Sequence, residues 1–157
     1  MSETKWENSF NIDSTSINWE NNYKNIISLT IDTTFRSFQY KIVTIIIPTN
    51  KIVLKVQYVS SSFCTFCNAN IKHLFWECPC SQDLSVQLST LLRDNSFNVT
   101  ISKTEALRGM SNSRPLTNQC NFIFIVMNYY IFKKKLEKST PVFSEFKAIL
   151  KYRIKTE

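Results

Sequence analysis

The sequence predicts a mainly α fold: a small multi-helix domain with one inserted loop. Glycine occurs once, at Gly109, and proline four times, too few turn formers for a many-stranded sandwich. Hydrophobic residues make up 43% of the chain and include twelve Phe, ample for a packed core and against disorder throughout. Apolar residues recur at helical rather than alternating spacing over most of the length.

Residues 1–18 are rich in Ser, Asn and Thr without clear periodicity and read as a flexible N-terminal arm, leaving 19–157 as the folded domain. Trp19, Tyr23, Ile26 and Ile27 give a short helix. Asp32 or Thr33 can cap the next, in which Phe35, Phe38, Ile42, Ile45 and Ile46 share one stripe. The β-branched run Val43–Ile47 opposes helix, and Pro48 is expected to stop it. Thr49-Asn50 can cap a further short helix through Lys51–Val56. Leu84, Gln87, Leu88, Leu91 and Leu92 form an amphipathic helix ending near Asn95. Thr104–Arg108 supplies a turn or two, closed by Gly109, where a positive φ is cheap. Asn118–Lys138 is apolar on most sides, and its length favours helix over a buried strand at Phe122–Val126. Pro141 is expected to start a last helix with Phe143, Phe146, Ile149, Leu150 and Ile154 on one face.

Charge is uneven. Residues 1–32 hold two Lys against five acidic groups, 33–96 six basic against three, and 97–157 eleven basic against four, within a net charge of +7. A basic C-terminal half suits a polyanion partner, because neutralising phosphates releases counterions. No secretory h-region is read at the N-terminus, and the apolar stretch at 122–132 is too short for a bilayer, which needs about 20 residues. The expectation is an intracellular protein, nuclear or cytoplasmic and not secreted, without a membrane or small-molecule partner. Thiols stay reduced there, so the five cysteines are expected to be metal ligands or core residues.

Cys64-Thr65-Phe66-Cys67 is a Cys-x2-Cys pair, whose spacing lets two thiolates hold one tetrahedral ion from a tight turn. The only histidine, His73, follows after five residues, and Cys78 after four more. These are the ligand types of structural zinc. Cys78-Pro79-Cys80 offers two candidates for the fourth place. Cys78 is preferred because Leu74–Glu77 can complete a helical turn that returns it beside His73. Four protein ligands leave no open position for water, so Zn2+ here is structural and no enzymatic activity is expected. Cys120, in an apolar helix, reads as core.

The ordered words Phe35-Arg36-Ser37-Phe38-Gln39-Tyr40-Lys41-Ile42, Ile46-Ile47-Pro48-Thr49-Asn50-Lys51, Cys64-Thr65-Phe66-Cys67 and His73-Leu74-Phe75-Trp76-Glu77-Cys78 resemble the zinc-binding region that follows the polymerase in reverse transcriptases of non-LTR (LINE-type) retrotransposons. Leu107-Arg108-Gly109, Tyr129-Tyr130-Ile131-Phe132-Lys133 and Phe146–Tyr152 resemble its tail, so the likeness covers about residues 19–155. The sequence departs from the family in a shorter Cys67–His73 interval, in Thr44-Ile45 where a His-Arg pair is common, and in Cys80 where a polar residue is usual.

The resemblance implies a module that holds template RNA or target DNA beside its parent polymerase domain. No Asp-Asp dipeptide is present to serve as polymerase metal ligands, and endonuclease residues are not recognisable. Phosphate contacts are assigned to Arg36, Lys41, Lys51, Lys55, Lys72, Lys133, Lys134 and Lys135, with Phe66 or Trp76 available to stack on bases. The second reading is a protein-interaction or scaffold remnant of a decayed retroelement, with no independent activity.

Overall fold

A computed structural model describes Trp6, Asn8, Phe10 and residues 17–47, 71–97, 102–110 and 116–156. Among these residues the fold is mainly α with no strand: α1 (Trp19–Ser28), α2 (Thr33–Val43), a π-helical turn (His73–Glu77), α3 (Pro79–Asp94), α4 (Lys103–Arg108), α5 (Thr117–Leu136) and α6 (Phe143–Thr156). The helix expected over Lys51–Val56 lies outside the described residues. No described helix is long and apolar enough to cross a membrane.

The chain divides into two compact units, one of residues Met1–Ile47 with Ser102–Val126, the other of Pro48–Ile101 with Met127–Thr156. In the first, Asp32 caps α2 by accepting the N–H groups of Thr34 (2.7 Å) and Phe35 (3.4 Å). Helix α2 packs on α1 and α4 through Phe35, Phe38, Gln39 and Ile42, and Phe35 meets Phe122 edge-on at 6.4 Å. Gln39 donates to the Leu107 carbonyl at 2.9 Å. Ser102 and Glu105 form a reciprocal capping box at the start of α4, the Ser-x-x-Glu pattern that satisfies two N-terminal donors at once.

Within the segment read as an arm, Trp6 is fully buried. Its indole N–H donates to the Val43 carbonyl at 2.7 Å, and its ring stacks on Phe10 at 4.4 Å. Two aromatic residues four apart are too short a pattern to read as a helix, and the partner that fixes them is 37 positions away.

Helix α2 ends at Val43, not at Pro48 as expected. Ile45 takes a positive φ of 52°, and the bonds Ile45 N–H to Ile42 O and Ile46 N–H to Lys41 O, both 2.9 Å, close a Schellman motif. The β-branched run forms helix poorly, so the chain turns out before reaching the proline. Ile46 is consequently 47% exposed rather than on the core stripe.

In the second unit, α3 packs against the π turn and α6, burying Leu84, Leu88 and Leu92 on one side. Helix α6 begins at Phe143 rather than Pro141, with Val142 O accepting the Phe146 N–H at 3.0 Å. Phe146 and Leu150 are buried, but Ile154, expected on the same face, is 57% exposed. Helix α5 contributes to both units, and positions 120–128 are all buried. That matches a helix apolar on every side. Burial raises the Cys120 pKa, as expected of a core thiol.

Candidate metal-binding turn and basic surface

A π turn spans the described part of the predicted metal segment, from His73 to Glu77. After helical Ile71 and Lys72, the Cys78 N–H reaches back five residues to the His73 carbonyl at 2.7 Å. The wider ring admits one residue more than an α turn, a geometry found frequently at functional sites. Cys78 then leaves helical space at φ −65°, ψ 129°, because the following Pro79 clashes with a helical predecessor. Pro79 occupies the first position of α3, where its missing N–H is harmless. Cys78 is thereby both the end of the π turn and the N-cap residue of α3. Its carbonyl accepts the N–H groups of Ser81 and Gln82, each at 2.9 Å.

Three further contacts hold this geometry. Leu74 and Phe75 are buried, anchoring one side of the turn. Ser81 Oγ donates to the Leu74 carbonyl at 2.5 Å, and Lys72 Nζ pairs with Glu77 Oε1 at 2.6 Å across the turn. The turn expected over Leu74–Glu77 is present, and it brings the Cys78 backbone to His73. Cys78 is fully buried, while His73, Trp76 and Cys80 are half-buried. Cys64 and Cys67 lie outside the described residues, as does Phe66. Among the described residues no group of three His, Cys, Asp or Glu gathers as a metal would require.

The predicted basic contacts have different surroundings. Lys51 and Lys55 lie outside the described residues. Lys41 is exposed on α2. Arg36 is half-buried and gives its Nε–H to the Thr30 carbonyl at 2.6 Å. Lys72 is held by Glu77. Of the Lys133–Lys135 triplet, Lys133 is exposed and Lys135 is buried. Lys134 pairs with Glu145 at 2.8 Å and Glu137 at 3.4 Å, and lies 5.6 Å from the Tyr130 ring centroid. These positions leave Lys41 and Lys133 as the solvent-facing members among the described residues of the set.

Around Lys134 the second unit carries a titratable cluster. The Tyr130 hydroxyl accepts the Val142 N–H at 2.9 Å and sits 3.0 Å from both Val142 O and Glu145 Oε2. The hydrogen bond that Lys134 donates to Glu145 lowers the Glu145 pKa and raises the Lys134 pKa. Desolvation raises the Tyr130 pKa. In the first unit burial lowers the Arg108 pKa, opposed by the Glu105 charge.

Sequence reasoning missed a basic row on α6. Lys147, Lys151 and Lys155 are all exposed and recur at i, i+4 and i+8, the spacing that puts them on one helix face. The charge pattern is legible in the spacing of the lysines, beside the apolar stripe of the same helix. No family model, curated protein or solved structure matches the chain.

Proposed function

We propose that this chain is a zinc-stapled nucleic-acid-binding module, derived from the zinc-binding region of a non-LTR retrotransposon reverse transcriptase and lacking polymerase and endonuclease centres. The observation that carries the reading is the π turn closed from Cys78 to His73. It pins one thiol-bearing and one imidazole-bearing residue to a single backbone ring, at the interval the motif demands. The donor set fits zinc: soft thiolate and imidazole ligands are the types that select it. A metal-bound sulfur carries negative charge, and the N-terminal end of α3 is where the helix dipole favours such charge.

In this reading Cys64, Cys67, His73 and Cys78 enclose one Zn2+, which ties residues outside the described set to the π turn. Metal affinity then becomes folding free energy. The protein's own work is electrostatic: Lys41 and Lys133 meet phosphates of template RNA or target DNA, and the parent polymerase domain does the chemistry in an intact element. With its sole histidine committed to metal, the chain retains no general base of near-neutral pKa, and the reading is non-enzymatic.

Metal content tests this directly. Purified protein should contain about one equivalent of zinc, and Cys64→Ser and His73→Ala should each lose it together with helical signal. Wild-type protein that folds fully without zinc would remove the staple. The second reading, a scaffold remnant, draws support from Ile27 and Ile31, 65% and 72% exposed in the first unit. Light scattering separates the two, since a sticky remnant self-associates at concentrations where a nucleic-acid module stays monomeric.

A further inference from the structure

Helix α6 divides into two faces with opposite fates. Phe146 and Leu150 are buried, while Lys147, Lys151 and Lys155 stand exposed in one row, with exposed Ser144 preceding the row and exposed Ala148 beside it. Tyr152, 64% exposed, flanks the row. Among the described residues none of the three lysines has an ion-pair partner. The nearest acid on the helix, Glu145, is already engaged by Lys134 at 2.8 Å, so it does not neutralise the row.

Helix stability does not account for this arrangement. Like charges at i, i+4 repel and destabilise a helix. The dipole favours cations in the last turn, which covers Arg153 and Lys155 but not Lys147, in the first half of α6. Successive lysines rise about 6 Å, and Lys147 to Lys155 about 12 Å, the axial length of three to four phosphates of one strand.

We infer that the Lys147–Lys151–Lys155 face of α6, with Tyr152 at its flank, tracks the sugar-phosphate backbone of a single strand of nucleic acid while the phenol stacks on a base. The occupant follows from chemistry. Insertion into a lipid surface needs a broad apolar face, and on α6 Phe146 and Leu150 are buried in packing inside their own unit, which leaves Ile154 as a single exposed aliphatic side chain near its end. Along the lysine row itself the outward groups are positive charge and one aromatic ring, the combination that binds single strands without sequence preference. The inference rests on the nucleic-acid part of the proposed function and is independent of its zinc part.

The test is fluorescence anisotropy of a labelled 20-nucleotide single-stranded RNA and its DNA counterpart with the full chain, titrated over salt. The triple variant K147Q/K151Q/K155Q should bind at least ten-fold more weakly at low salt, and its slope of log affinity against log salt should fall by about 2. Replacing the three lysines by arginine should preserve both. Tyr152→Leu should weaken binding about five-fold or more with the slope unchanged. Circular dichroism and zinc content guard against misfolding, which removal of like charges does not promote.

If wild type binds strands and the triple variant matches it, the face is overturned while the proposed function stands. If wild type holds no zinc yet loses strand binding in the triple variant, the zinc staple falls and the face stands. Wild-type protein that binds phosphatidylcholine–phosphatidylserine vesicles through the three lysines but no strand overturns the occupant.

Discussion

The two compact units are fastened differently. In the first, the long-range ties are neutral and end on backbone: Trp6 to Val43 O, Gln39 to Leu107 O, and Asn121 to Met110. In the second, charged pairs stand beside the neutral bonds: Lys72 with Glu77 across the π turn, and Lys134 with Glu145 beneath the Tyr130 hydroxyl. Neutral bonds in a buried setting ignore pH and salt, whereas ion pairs at half-exposed positions respond to both. The charged pairs of the second unit therefore lie in the same unit as the π turn and α6.

The largest effect should come from breaking the neutral set. Asn121 Oδ1 accepts the Met110 N–H at 2.7 Å and its Nδ2 donates to Met110 O at 3.1 Å, so one side chain satisfies both backbone groups of a buried residue. Asn121→Ala orphans the pair and should cost about 2–4 kcal/mol, by the same amount at pH 5 and pH 8 in urea unfolding. A pH-dependent loss would break the contrast between the units.

Helix ends give an intermediate effect. Ser96 (φ 66°) and Lys138 (φ 55°) terminate α3 and α5 in left-handed conformation, with the Schellman bonds Phe97 N–H to Leu92 O and Ser139 N–H to Lys134 O at 2.9 and 3.0 Å. Ser96→Gly and Lys138→Gly should each stabilise by up to about 1 kcal/mol, the relief of side-chain crowding less glycine's greater unfolded-state freedom. Thermal melts showing destabilisation by either would refute the strain.

The smallest effect sharpens the charged side. The folded state lowers the Glu145 pKa, so it favours the carboxylate. Its stabilisation is complete above the unfolded glutamate value of about 4.3 and is lost as pH falls through the depressed folded value. Glu145→Gln should remove that acid limb from the pH-stability profile, a change of a few tenths of a kcal/mol for a pair this exposed. A profile unaltered by the substitution would show the pair to be inert.

What the sequence revealed follows from the range of each force. The α2 stripe, its Asp32 cap and Gly109 were legible because periodicity, capping and torsional freedom are local properties. The early end of α2 was half legible: the β-branched run gave warning, but the bonds that chose Val43 depend on Ile45 accepting a positive φ. The basic positions were least legible, since a lysine's availability is set by its neighbours. Lys133 and Lys134 are adjacent in sequence, and only the latter meets Glu145, eleven residues on. For the metal set, the turn joining His73 and Cys78 was anticipated from spacing, although its π character was not. Cys64 and Cys67 lie outside the described residues.

A chain with a single glycine has assigned it to the position that can use nothing else. Gly109 stands at φ 91°, ψ 155°, a region closed to residues with a β-carbon, and a Cβ there would approach the Asn121 amide to 3.4 Å. That distance is ordinary van der Waals contact, so the obstacle to any missense change is torsional. Codon 109 is thus the least tolerant of the described positive-φ positions, since 45, 96, 116 and 138 already carry residues with a β-carbon.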